Sequence, residues 1–126
     1  FNTAIGNNNM SQYLDGFYNT SLGYNALKNV LEGNNNVSLG SGSMTNILNG
    51  SNNVSIGKNS LYSSKNGSNN TIIGFNAGYH LSDNSTNNIF IGYNAGFDNL
   101  NRSNSNYVDV NNKLIISPPC AESTIE

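Results

Sequence analysis

β-branched and aliphatic residues come in pairs two positions apart along this chain: Thr3 and Ile5, Thr20 and Leu22, Val37 and Leu39, Val54 and Ile56, Thr71 and Ile73, Ile89 and Ile91. Alternation with a period of two marks a strand, each pair lying on one face and the residue between them on the other. The residues between are Ala4, Ser21, Ser38, Ser55, Ile72 and Phe90. An Asn opens each pair and a glycine closes it: Gly6, Gly23, Gly40, Gly57, Gly74 and Gly92, spaced by 17 residues four times and then by 18. A fixed period below about 20 residues is too short for a helix pair, so each unit is one coil of a stacked structure. The glycine after each strand admits a left-handed or crowded turn that residues with a Cβ resist.

The second half of each unit is looser. Seven places after the glycine stand Tyr13, Val30, Ile47, Ser64, Leu81 and Asn99. Ten places after it stand Gly16, Gly33, Gly50 and Gly67, preceded by Asp15, Glu32, Asn49 and Asn66. Three of these four pairs are Asp-Gly or Asn-Gly, which reads as a turn. The expectation is a coil built as strand, turn, strand, turn, with successive coils in parallel register about 4.8 Å apart.

Stacking places like residues above like. The column Ile5, Leu22, Leu39, Ile56, Ile73, Ile91 is expected to form a core strip, and the smaller opposite face to pack against neighbouring chains. The Asn at the head of each unit is expected to form an amide ladder. A second ladder is expected at Asn8, Asn25, Asn59, Asn76 and Asn94, interrupted by Gly42. A coil this small encloses a thin core, which barely offsets conformational entropy of about 1–2 kcal/mol per residue, so lateral association would help it.

Composition narrows the function without choosing it. Of 126 residues only 10% are charged, the formal net charge is −2, and the five Lys and Arg are scattered, which gives no support to nucleic-acid binding. No apolar run approaches the roughly 18 residues of a membrane span. The chain opens at Phe1 with neither an initiator Met nor a secretory signal, as a fragment or processed product would. Cys120 is alone and excludes an internal disulfide. After the last unit, Asn106–Val110 and Asn112–Ser117 read as one or two closing strands that Pro118-Pro119 should end. The expected organisation is a repeat domain over 1–105 and closing strands with a tail over 106–126.

The unit Asn53-Val-Ser-Ile-Gly-Lys-Asn-Ser60 and its siblings resemble the head repeat of YadA-like trimeric autotransporter adhesins, and the related arrays of bacteriophage and giant-virus tail fibres. The resemblance spans roughly Asn2 to Arg102, in six in-register copies. It implies an all-β fold, a single-stranded, left-handed parallel β-roll or β-solenoid of about six 17-residue coils, three copies of which form a homotrimeric fibre. The usual adhesin head repeat is shorter, so the extra residues enlarge a turn, and that loop is where this chain would differ in what it touches.

Candidate chemistry is sparse. His80 is the only histidine, no spacing suggests a nucleophile–base pair, and the reading is an exposed loop histidine. Asp15 and Glu32 alone share a column in adjacent coils, where solvated turn residues are favoured over a weak cation site. No catalytic residue, metal or cofactor is therefore expected, and the chain is not read as an enzyme. The aromatics carry more: Tyr24, Phe75 and Tyr93 stand one place after the glycine, and Tyr62, Tyr79 and Phe97 five places after it. Phe75, Tyr79, Tyr93 and Phe97 would cluster on neighbouring coils. Together with Tyr62 they are the candidate glycan- or receptor-binding residues, weighed against a ring ladder that stabilises the rod. Because Gly78 and Gly96 replace Leu or Met in those two units, a ring folding into the vacated core is a third reading.

The expected function is attachment to a host cell or surface receptor by an extracellular fibre segment, on a virion or a bacterial surface. Its expected partners are two further copies of the chain and a host glycan or receptor, with neither nucleic acid nor membrane insertion. The alternative is a spacer shaft that binds nothing. An ice-binding face is weakened by Val37, Val54 and Ile89 interrupting the Thr column, and a polysaccharide-degrading tailspike by the missing acid pairs.

Overall fold

A computed structural model describes residues 1–12, 15–97 and 109–117. Seven three-residue strands, β1 (Thr3–Ile5), β2 (Thr20–Leu22), β3 (Val37–Leu39), β4 (Val54–Ile56), β5 (Thr71–Ile73), β6 (Ile89–Ile91) and β7 (Leu114–Ile116), make one parallel sheet in chain order. Like pairs with like, as in Val37 with Val54 and Ser38 with Ser55. The steps from strand to strand follow the repeat, giving a β-solenoid of about five turns with no helix among the described residues. The closing strand expected within 112–117 is β7, paired on β6. Tyr13, Asn99, Arg102, Asn106–Val108, the Pro118-Pro119 stop and Cys120 lie outside the described residues.

Each coil holds one strand, not two. Its second half is a series of turns whose backbone still bonds coil to coil, for example Leu27 N–H to Ser43 O at 3.1 Å and Leu48 N–H to Lys65 O at 2.7 Å. The physical reason is a pair of left-handed residues two and four places after each strand-closing glycine, such as Asn25 (φ 54°) and Leu27 (φ 47°), which curl the chain out of extension. Asn tolerates that region and Gly favours it, so Gly42 (φ 73°) replaces Asn at the first position without disturbing the coil. This corrects the second ladder: among those asparagines only Asn59 and Asn76 bond side chain to side chain, at 3.3 Å. The Asp-Gly and Asn-Gly pairs do fall where the chain bends, but their glycines serve another purpose than a left-handed turn. Gly16, Gly33, Gly50 and Gly67 do not sit at positive φ. They are required by close approach, since a Cβ on Gly33 would lie 2.6 Å from the Gly50 carbonyl oxygen one coil on.

The expected faces of the strands are inverted. The residues between the pairs point inward: Ser21, Ser38, Ser55, Ile72 and Phe90 are buried. The aliphatic pairs point outward, with Ile5 59% and Leu22 48% exposed and Val37, Leu39, Val54 and Ile56 half-buried. The inward side is closed by residues from the turns, Leu27, Val30, Met44, Ile47, Leu61 and Leu81, which form the core with Ile72 and Phe90. A coil whose large side chains come from the turn has room only for a small one from the strand. That is why serine faces in and leucine faces out.

The head asparagines form the ladder that the repeat predicts, and they are fully buried from Asn19 to Asn88. Asn53 illustrates the pattern. Its Oδ1 accepts from the Asn70 backbone N–H (3.0 Å) and from the Asn70 amide (3.1 Å). Its own amide donates to Asn36 Oδ1 (3.0 Å) and to the Gly67 carbonyl (2.8 Å). Burying an amide without partners costs about 1–3 kcal/mol, so a column in which each amide satisfies the next locks the coil register.

Candidate functional site

The glycine column Gly6, Gly23, Gly40, Gly57, Gly74 and Gly92 carries no ligand chemistry; it sets the geometry of everything beyond it. All six lie between φ 123° and 143°, a region closed to other residues. A Cβ on Gly23 or Gly40 would stand 2.6 Å from the glycine carbonyl of the next coil. The chain can therefore turn sharply here, which throws the next residue, and the one four places beyond it, onto the rod's flank in vertical columns.

The five aromatic candidates occupy two separate columns rather than one cluster. In the first, Phe75 and Tyr93 stack with centroids 5.6 Å apart and planes 8° apart, and Lys58 Nζ covers the other side of Phe75 at 5.9 Å. In the second, Tyr62 stacks on Tyr79 at 4.8 Å and 2°, and Phe97 leans on Tyr79 at 5.6 Å and 39°. Among the described residues no ring contact joins the first column to the second. Phe75 and Tyr79 thus have neighbours on both faces, and what they turn to solvent is their edges. The ring that fills the space vacated at Gly78 and Gly96 is none of these five. It is Phe90, fully buried, against whose Cδ2 and Cε2 a Cβ on Gly96 would collide.

His80 is not a free loop residue. It is half-buried and packed edge-on to Tyr79 at 4.6 Å and to Phe97 at 5.2 Å. It stands on the rim of a trough of about 640 Å³ that runs along the flank beside Asn29, Asn46, Ser63 and Lys65. Lys65 and Asp83 pair across adjacent coils at 3.0 Å. Asp109, just before β7, closes one end, its Oδ1 accepting from Ser82 Oγ (3.1 Å) and the Asn84 N–H (3.2 Å). The trough was not foreseen. Its columns lie six and eight residues after the glycine, outside the recurring strand phrase, and the 18-residue step that brings Asp83 into it reads as a slip in the repeat. Asp15 and Glu32 are both exposed in their shared column, and no group of three His, Cys, Asp or Glu among the described residues could hold a metal ion.

One further surface is the outward stripe of the sheet. It is two side chains wide and follows the whole rod, from Ile5 through Leu22 to Ile89, Ile91, Leu114 and Ile116, all of them exposed.

The class that these features define is a parallel β-solenoid with one strand per coil. No protein-family profile matches the chain, and searches of curated proteins and of solved structures found no match.

Proposed function

We propose that this chain is a segment of an extracellular homotrimeric fibre, a left-handed β-roll that attaches to a host cell or surface receptor through its C-terminal coils. The observation that carries the reading is the outward aliphatic stripe of β1 to β7. A strip of Val, Leu and Ile, with Thr3, Thr20 and Thr71 among them, parallel to the rod axis is buried when rods lie side by side, with each coil level with its counterpart. Burial at about 25 cal/mol per Å² of apolar surface then supplies what the thin core of a single rod lacks. The resemblance to trimeric fibres favours three rods closing around one axis, a cyclic arrangement that leaves no unpaired face.

Attachment is favoured over a bare shaft by the change of surface along the rod. Coils two and three carry Tyr24 and Ser41 and then Lys28 and Thr45 at the two flank positions, whereas the last two coils carry rings at both. A spacer has no use for that difference. The stacked geometry favours the spacer reading in one respect, because faces engaged with each other cannot stack on a sugar. A receptor would therefore meet ring edges and the hydroxyls of Tyr62, Tyr79 and Tyr93.

Light scattering on the purified chain tests the assembly. A particle of about three times 13.5 kDa is expected, and Leu39→Asp with Ile56→Asp should reduce it to a monomer. A wild-type monomer with native circular dichroism would end the fibre reading. Attachment is tested on immobilised host-surface extracts: wild-type binding that Tyr93→Ala with Tyr79→Ala abolishes supports it, and no binding by a folded trimer leaves the shaft.

A further inference from the structure

The flank trough interrupts one of the rod's asparagine columns. Two other columns pair from coil to coil: the buried head ladder, and the exposed Asn49, Asn66 and Asn84, linked at 3.2 and 3.3 Å. In the column six residues after the glycine the pairing starts, Asn29 amide to Asn46 Oδ1 at 3.0 Å, and then stops. Among the described residues neither the Asn46 amide nitrogen nor the Ser63 hydroxyl has a protein partner, although both residues are half-buried and line the trough. Leu48, half-buried, supplies apolar ground beside these polar groups. A volume of about 640 Å³ falls within the roughly 300–1,000 Å³ of sites that enclose small ligands.

Charge selects further. Lys65 and Asp83 neutralise each other at 3.0 Å, and the carboxylate left over is Asp109, held at the end of the trough by Ser82 and Asn84. Among the described residues that line the trough Lys65 is the only lysine or arginine, so an anion entering along it meets the Asp109 carboxylate uncompensated. Alternating donors, acceptors and aliphatic patches along a straight path suit a chain with hydroxyls on its rim and C–H groups on its faces. The aromatic columns then act as a wall, since Tyr79 and Phe97 hold the His80 ring in place on the rim.

From this geometry we propose that the trough between Asn46, Ser63, His80 and Asp109 binds an uncharged oligosaccharide, lying along the rod axis, and discriminates against acidic glycans through Asp109. The proposal deepens the attachment reading by naming its ligand class and moves the contact from the ring columns to the trough beside them. It does not depend on trimerisation.

The test is calorimetric titration of the whole chain with cellohexaose, maltohexaose and chitohexaose as neutral probes and hexagalacturonate as the acidic one. At least one neutral hexaose should bind saturably, and hexagalacturonate at least tenfold more weakly. Ser63→Arg, which fills the trough from a half-buried surface position, should weaken neutral binding at least tenfold while leaving particle mass and melting temperature unchanged. Asp109→Asn keeps the oxygen that accepts from Ser82 and Asn84, and should narrow the gap between neutral and acidic probes. Absence of binding by all three neutral probes overturns the proposal, as does equal binding of hexagalacturonate or indifference to Ser63→Arg in a folded chain. Attachment through the ring edges would survive that outcome, because it is lost with Tyr93→Ala and not with Ser63→Arg.

Discussion

Coils three and four and coils five and six enclose the same cross-section in two different ways. In the earlier pair the strand contributes a serine and the turn a large residue: Ser38 with Met44, Ser55 with Leu61. In the later pair the strand contributes the large residue and the turn a glycine: Ile72 with Gly78, Phe90 with Gly96. The first solution has two costs. Met44 and Leu61 are held at φ 50° and 48°, a conformation that costs a residue with a Cβ about 1–2 kcal/mol. The buried hydroxyls also need partners, which a second serine supplies: Ser38 Oγ donates to the Ser43 carbonyl at 3.0 Å, and Ser55 pairs with Ser60. Burying the Leu or Met side chain is worth about 1.5–3 kcal/mol, so burial exceeds strain by a small margin. The second solution places glycine where φ is positive and the side chain where the backbone is extended, with Ala77 and Ala95 in place of the partner serines. Both conserve volume, which is the quantity that a close-packed coil senses. Coil two shows the scheme incomplete, since Ser21 faces Ala26 and its hydroxyl has no partner.

If the two modes are alternatives, exchanging halves should be harmful and exchanging wholes mild. The largest effect is expected at Phe90, where Phe90→Ala empties a fully buried site and should cost about 3–5 kcal/mol in chemical denaturation. Gly96→Leu alone should also destabilise, through collision with that ring, whereas Phe90→Ser with Gly96→Leu should recover most of the loss. A double variant no better than the sum of the singles would show that the modes are not interchangeable. Next in size is Ser55→Ile. Overpacking against Leu61 costs about 1–3 kcal/mol, and Leu61→Gly in the same chain should relieve it by turning coil four into a copy of coil five. Thermal melts of the two singles and the double decide this.

Smaller changes address the seam between the modes. Tyr79→Ala removes a ring stacked between Tyr62 and Phe97 and should cost about 0.5–1.5 kcal/mol beyond the area lost, read as an earlier melt of the last coils by hydrogen exchange. Lys65→Ala breaks the Lys65–Asp83 pair that bridges coils four and five. As a half-exposed pair it should change stability by less than about 1 kcal/mol, and the difference should vanish in high salt. A larger, salt-independent effect would mean that the lysine stem packs the seam.

The repeat by itself determined the period, the strand pairs, their parallel register and the head-asparagine ladder. Each follows from local chemistry copied at a fixed interval: an Asn that must satisfy its amide, a glycine that a crowded turn requires, and alternation that only a strand can use. Closure by β7 was legible for the same reason, as Leu114–Ile116 repeats the alternation. Which face turns inward was not legible, because a period of two separates the faces without naming them. That was decided in three dimensions by Leu27, Met44 and Leu61, which enter from left-handed turns and leave the strand room for serine alone. The trough beside His80 was decided there too, since its walls come from coils two to five and from the segment before β7, and only stacking brings them together.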